Sequence, residues 1–329
     1  LSYSLGQGKT RNLRASFQTG FRNPTTQDQY IGLDASDAIL IGSAPDNLDR
    51  YSSTFSTSGT AQALGFPASI EQKGRVAYEN SYTLASLYAF AGTGNPAMLE
   101  IANFNYVKPE KVTAYEVGYR AGFGSFSLDA SAYYNKYEDF IGNKTVVSPL
   151  YGNVNFSDIH PVIQQPNAIL AIANGDYQPY QVYTNSKADI SSYGGSIGLA
   201  SKIFGNYTVG LNYTYAKFDF DPSTDPDYEA WFNTPENKVK FSIGNTDLIE
   251  NLGFAVNVRW NDEYMWESSF VDALIDAKTV VDAQINYTVP KWKSTFKIGA
   301  ANLGGKDYFS APGSGKIGSQ YFASWTINP

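Results

Sequence analysis

The strongest constraint on this chain is the way residues 112–140, VTAYEVGYRAGFGSFSLDASAYYNKYEDF, sort charge from hydrocarbon with a period of two. Tyr115, Val117, Tyr119 and Ala121 fall on one side of an extended strand, and Ala114, Glu116, Gly118 and Arg120 fall on the other. A short turn at Gly122, Phe123 and Gly124 follows. Beyond it, Phe126, Leu128, Ala130, Ala132 and Tyr134 share one face, opposite Ser125, Ser127, Asp129, Ser131 and Tyr133. Glu116, Arg120 and Asp129 all lie on the polar face, and the other face is apolar with aromatics towards its ends. Such a hairpin suits a wall between oil and water.

The rule recurs along the chain. Leu13, Ala15, Phe17, Thr19 and Phe21 oppose Arg14, Ser16, Gln18, Gly20 and Arg22; Val239, Phe241 and Ile243 oppose Lys238 and Lys240; Phe254, Val256, Val258 and Trp260 oppose Arg259. In all, the alternation predicts about eleven strands of about ten residues, the length a tilted strand needs to cross a bilayer. Short turns near Gln7, Gly122, Phe204, Glu250 and Lys291 alternate with long excursions starting at Asn23, Ile141, Asp219, Ser268 and Ser310. The expected fold is therefore all-β: a transmembrane antiparallel β-barrel with long loops on one side. The two longest loops, about 23–111 and 141–186, show no regular alternation and are expected to be extracellular. Within the first, residues 77–90 fit either helical turns or a short hairpin.

Composition removes several classes of function. There is no Cys and one His, so a thiolate, a disulfide framework or a multi-histidine metal site is excluded, and no metal or cofactor is expected. No catalytic constellation appears, and no enzyme is expected. A net charge of −7 argues against a nucleic-acid partner. No run of about 18 apolar residues exists to make a transmembrane helix. Leu1 already sits inside an alternating segment, LSYSLG, with no leader pattern before it, so the chain is expected to begin in mid-structure.

Three stretches resemble recurring motifs of TonB-dependent outer-membrane receptors. They are RASFQTGFRNPT (Arg14 to Thr25), KPEKVTAYEVGYR (Lys108 to Arg120) and AANLGGKDYF (Ala300 to Phe309), and they occur in the family's order. The Tyr- and Asn-rich style also resembles the Bacteroidota branch that includes SusC-like nutrient importers. The resemblance covers the whole chain and implies the C-terminal half of a barrel that has 22 strands in this family. It implies location in the outer membrane and import of a bulky nutrient: an oligosaccharide, a peptide or a chelated metal. It also implies partners: an N-terminal half with a plug, the TonB complex acting through that plug, lipid and lipopolysaccharide, and a SusD-like lipoprotein docking on the loops. The sequence holds neither plug nor TonB box, and it ends in Trp325-Thr326-Ile327-Asn328-Pro329 where the family has an aromatic terminus. A self-contained porin or adhesin without energy coupling is the alternative, and a soluble carbohydrate-binding or hydrolytic β-protein stands further off.

Aromatic rings beside amides suit sugars or peptides, which makes the loop residues Tyr30, Tyr88, Tyr151, Asn153, Tyr180, Trp231 and Trp266 the ligand-binding candidates. Packing of the loops on themselves is the competing use of each. Arg14, Arg22, Glu116, Arg120, Lys238 and Arg259 are expected to face the lumen or a plug. Tyr134, Tyr215, Trp260 and Tyr321 are expected in interfacial girdles. His160 reads as a structural loop histidine. The loop DFDPSTDPDYEAW, with Asp219, Asp221, Asp225, Asp227 and Glu229, reads as a solvated rim rather than a cation site.

Overall fold

The computed structural model describes residues 2–5, 10–229, 231–268 and 271–327. The expected turn at Gln7 and the terminal Asn328-Pro329 lie outside these residues. Long alternating segments form eleven strands: β1 (Ser2–Leu5), β2 (Arg11–Arg22), β3 (Glu110–Phe123), β4 (Phe126–Glu138), β5 (Ile190–Ile203), β6 (Tyr207–Asp219), β7 (Asn237–Ile249), β8 (Leu252–Asn261), β9 (Lys278–Val289), β10 (Ser294–Ala301) and β11 (Gln320–Ile327). They form one sheet in sequence order, each strand antiparallel to the next. Strand β3 runs through to Phe123, which pairs with Phe126, so the hairpin turns on Gly124 and Ser125 alone. Gly124 has φ +63°, the conformation that the first position of such a two-residue turn demands.

The sheet is inverted relative to a soluble protein. Phe17 is 64% exposed, Val117 55%, Ile285 50% and Ile298 61%, all on one face. A contiguous exposed apolar surface of this kind requires a non-aqueous neighbour. Register adds aromatic rows to it. Phe17, Tyr115, Tyr134 and Tyr193 pair across four successive strands near the long-loop end, and Phe296 stacks on Trp325 (6.0 Å) near the short-turn end, with Trp292 edge-on. Of the expected girdle, Tyr134, Trp260 and Tyr321 are exposed, while Tyr215 is half-buried against Tyr193.

The opposite face carries the ions. Arg14 reaches Glu116 (3.6 Å) and Asp129 (3.5 Å), Arg120 Nε donates to Asp129 at 2.7 Å, and Arg259 meets Asp282 at 2.9 Å. Arg120, Asp129, Arg259 and Asp282 of these pairs, together with Asn212, Lys240 and Asn257, line a concavity of about 840 Å³.

The long loops differ from the irregular excursions expected. Residues 141–149 and 177–185 are strands (Ile141–Pro149 and Tyr177–Asn185) that form the spine of a second sheet. Tyr228–Glu229 and Tyr82–Thr83 pair with the first of them. Ile39–Ile41 runs parallel to the second and is flanked by Gly32–Asp34. Alternation was absent because these strands are buried on both faces, which removes the polar half of the pattern. Residues 77–90 resolve into helix Arg75–Glu79, strand Tyr82–Thr83 and helix Leu84–Thr93, the last ended by Gly94 at φ +65°. The excursion expected from Ser268 starts at Asp262, where β8 has ended, and holds the ribbon of Tyr264–Trp266 with Ala273–Ile275.

Among the described residues, the clusters of buried apolar side chains all lie in this cap. One joins Ile39, Ile41, Leu48, Tyr78, Val146, Tyr180 and Val182; a second joins Tyr82, Val147, Val154 and Ile172; a third joins Ala61, Leu150, Tyr151 and Ala171. The acidic loop is a strap rather than a solvated rim. Asp225 is buried and accepts from Lys144, from Ser186 Oγ (2.8 Å) and from the Lys187 amide (3.1 Å). Asp227 accepts from the Ala85 amide at 3.0 Å.

Two predictions follow from these placements. Val117→Arg puts a charge on the outer face and should cost about 2–4 kcal/mol at bilayer depth, whereas Glu116→Gln on the inner face should cost at most about 1 kcal/mol; heat-modifiable gel mobility of the folded barrel reads both. Asp225→Ala leaves Lys144 buried without its counter-charge and should destabilise the cap by about 3–5 kcal/mol, seen as faster amide exchange in Ile141–Pro149 with β3 and β4 unchanged.

Candidate functional site

Where the cap meets the barrel wall, a concavity of about 510 Å³ opens on the ion-bearing side of the sheet. The upper ends of β2, β3 and β4 supply Arg22, Glu110 and Tyr137. From the cap come Gln27, Asp28, Phe140, Asn143, Tyr183, Glu229 and Trp231. Arg22 Nη2 donates to Glu110 Oε2 at 2.9 Å, and the same carboxylate oxygen accepts from the Ile141 amide at 3.0 Å. This pair fixes the junction between barrel and cap.

Register places the cap's contribution. In the antiparallel pairings Asn143 stands opposite both Tyr183 and Glu229, so these three side chains leave one face of the cap sheet side by side. The next residue on that face, Gln181, donates to Glu229 Oε2 (3.2 Å), and Gln27 Nε2 donates to the Tyr183 hydroxyl (2.8 Å). Gly142 lets the Tyr228 ring lie where a Cβ would stand, with the hydroxyl 2.5 Å from that position. The loop strand carrying Glu229 therefore packs tightly on its neighbour.

Trp231 is held at φ +53° between two carboxylates. Its indole Nε1 donates to Glu229 Oε2 and its amide to Glu267 Oε2, both at 3.1 Å. Asn233 and Glu267 then exchange hydrogen bonds at 2.8 and 2.9 Å and join the two loops. Burial pushes the carboxyls of Glu229 and Glu267 above the ordinary range, against the opposing pull of the Trp231 hydrogen bonds.

The sequence candidates separate into groups. Trp231 lines this concavity. Tyr151 and Tyr180 are buried in the cap, which corrects their expected role at a ligand surface. Tyr180 lies in the largest core cluster and donates to Gln72 Oε1 (3.2 Å). Tyr151 stacks on Phe66 (3.9 Å) and donates to Asp176 Oδ2 (2.9 Å), and burial beside that carboxylate pushes its hydroxyl up to about 12. Asn153 is spent on a local turn, accepting from the Asn155 amide at 3.2 Å. Tyr30 and Tyr88 are exposed on the cap, at 46% and 68%, away from Trp231's concavity, and Trp266 sits half-buried in the ribbon beside Glu267. Arg22 lines the same concavity as Trp231, while Arg14, Glu116, Arg120 and Arg259 lie lower on the ion-bearing face. Lys238 stands there opposite Thr214 and Asn261. His160 is structural: Nδ1 accepts from the Val162 and Ile163 amides (3.3 and 3.1 Å), and Nε2 donates to the Leu64 carbonyl (3.0 Å). Asn143 and Gln27, and Gln181 behind Glu229, carry no sequence signal because only the folded cap brings them together.

A wall of antiparallel strands with an exposed apolar face, an ion-bearing opposite face and a folded cap is the architecture of an outer-membrane barrel. The family described as TonB dependent receptor-like, beta-barrel matches residues 1–303, and the chain belongs to that family. It is accordingly an outer-membrane chain of a family of receptors and transporters that work with a plug and with TonB. Its fold is similar to that of the copper transporter OprC (13% identity, TM-score 0.53, covering 98% of this chain and 38% of that one). It is similar also to the siderophore receptor PirA from Acinetobacter baumannii (12% identity, TM-score 0.51, 96% and 38%). The FrpB iron transporter from Neisseria meningitidis matches over 67% of this chain and 30% of its own, at 13% identity and TM-score 0.45. The chain thus spans between 30% and 38% of the length of these proteins. No curated protein sequence matches it.

The raised carboxyls carry a pH dependence of definite sign. A carboxyl whose folded value is raised favours the fold fully below its unfolded value of about 4.3, and loses that contribution as pH rises through the folded one. The Trp231 loop should therefore show lower amide protection factors, corrected for the intrinsic exchange rate at each pH, above that window than at pH 4, and Glu229→Gln should remove part of the dependence.

Proposed function

We propose that the chain forms the C-terminal half of the barrel of an active importer, which takes a bulky nutrient across the outer membrane under TonB control. The observation that carries this reading is the union of an inverted sheet with a folded cap at one end only. A passive pore needs the wall but not a roof with its own buried core. In this reading Arg14, Glu116, Arg120, Lys238 and Arg259 contact a plug supplied by the N-terminal half of the receptor. The ion pairs of Arg14, Glu116, Arg120 and Arg259 on this face support a role against a polar partner.

Within this role the ligand is an oligosaccharide, a peptide or a chelated metal, met first by the cap. The Tyr- and Asn-rich composition and the size of the cap support the SusC-like branch, with a SusD-like lipoprotein seated on the cap. Exposed Tyr30 and Tyr88 are then docking or capture residues rather than parts of the inner site.

Uptake tests the central point. In cells carrying the complete receptor, deletion of TonB should abolish accumulation of its nutrient while leaving binding at the cell surface within about twofold. Accumulation that persists without TonB would instead make the barrel a passive porin.

A further inference from the structure

We infer that the concavity under Trp231 binds a cationic nitrogen group of the ligand, a primary ammonium or a guanidinium. This deepens the uptake reading and rests on it for the ligand's route into the barrel, not for binding itself.

The site holds buried polar atoms without partners. Asn143 is 1% exposed and lines the concavity; it lies against the Tyr183 hydroxyl, yet neither its Oδ1 nor its Nδ2 completes a hydrogen bond of good geometry. Gln181 is 4% exposed, and its Oε1 has no partner although its Nε2 is bonded to Glu229. Buried polar atoms are ordinarily satisfied, so the unpartnered amide of Asn143, which stands opposite Glu229 in the cap sheet, marks a position where a polar group of a ligand can bond. Glu229 takes both of its bonds on Oε2, which leaves Oε1 for the same visitor.

Charge points the same way. Three carboxylates, Asp28, Glu110 and Glu229, line the concavity against one guanidinium, Arg22, and Arg22 is committed to Glu110. Asp28 is committed to the capping box of the short helix Thr26–Tyr30, of which it is the third residue, and accepts there from the Thr25 amide at 2.7 Å. The carboxylate still in need of a counter-charge is Glu229. The rings of Tyr137, Phe140, Tyr183 and Trp231 wall the space, and an ammonium or guanidinium gains from aromatic faces when water is excluded. A bare metal ion fits poorly: among the described residues no group of three or more His, Cys, Asp or Glu is placed to hold one. Arg22 and the neutral amides would then orient the rest of the ligand through their remaining donors. An ammonium seated here also supplies what burial of Glu229 lacks, a positive charge at contact distance.

The test uses the complete receptor in detergent, with trilysine and its fully N-acetylated form as probes and titration calorimetry as readout. Trilysine should bind at least tenfold more tightly than the acetylated peptide. Glu229→Gln, which keeps the shape and the acceptor for Trp231, should erase that preference, and Trp231→Phe should retain more of it than Trp231→Ala. Equal binding of the two peptides, no trilysine binding at millimolar concentration, or an unchanged preference in Glu229→Gln would each overturn the assignment. Unchanged gel mobility of the variants confirms that they fold. Trilysine binding in a receptor whose uptake proves independent of TonB would sink the importer reading and leave this site standing; the converse pattern would do the opposite.

Discussion

Everything in this protein depends on the absence of water along the outside of its wall. Within hydrocarbon each unpaired backbone N–H or C=O costs several kcal/mol. The strands must therefore satisfy one another laterally, and the antiparallel ladder from β1 to β11 does so without interruption apart from the irregularity between Asn245 and Ile249. Once the backbone is closed off, side chains need only obey the medium on each face. That is why Val117 and Ile298 can stand exposed while Arg14, Arg120 and Asp129 pair behind them. The edge strands β1 and β11 carry the same demand on their outer sides.

The cap answers a different solvent and follows different rules. It is built like a small soluble domain, with buried Tyr, Ile and Val at its centre and polar side chains tying its loops together. Lys144 and Asp225 show the difference from the wall most clearly. Their ion pair is buried, so it fixes which loop lies where, whereas the ion pairs of the wall's ion-bearing face are partly wet and individually weak. The candidate site lies at the seam between the two regimes. Barrel ends contribute the Arg22–Glu110 pair and the cap sheet contributes Asn143, Gln181 and Glu229.

The wall was legible in the sequence because a face against lipid and a face against water impose a period of two on every strand. Residues 112–140 announce it, and the eleven-stranded sheet follows the same alternation. The cap was not legible for the complementary reason. Ile141–Pro149 is buried on both sides, so its polar and apolar residues follow contacts rather than a period, and its partners come from three separate loops. The same cause misled the reading of aromatic rings: Tyr180 and Trp231 look alike in a loop sequence, but one fills a core and the other faces a cavity. The acidic loop repeated the lesson, since Asp225 is anchored by Lys144, which lies far away in the sequence.

Cysteine accessibility addresses the claim that the wall faces lipid most directly, because the chain contains no cysteine of its own. Single substitutions Val117→Cys, Ile197→Cys and Ile298→Cys on the apolar face, with Tyr88→Cys on the cap as reference, can be challenged in intact cells with a charged maleimide. The account predicts that the reference reacts readily while the three wall positions stay unlabelled until the membrane is dissolved in detergent. Labelling of the wall positions in intact membranes at the rate of the reference would contradict it.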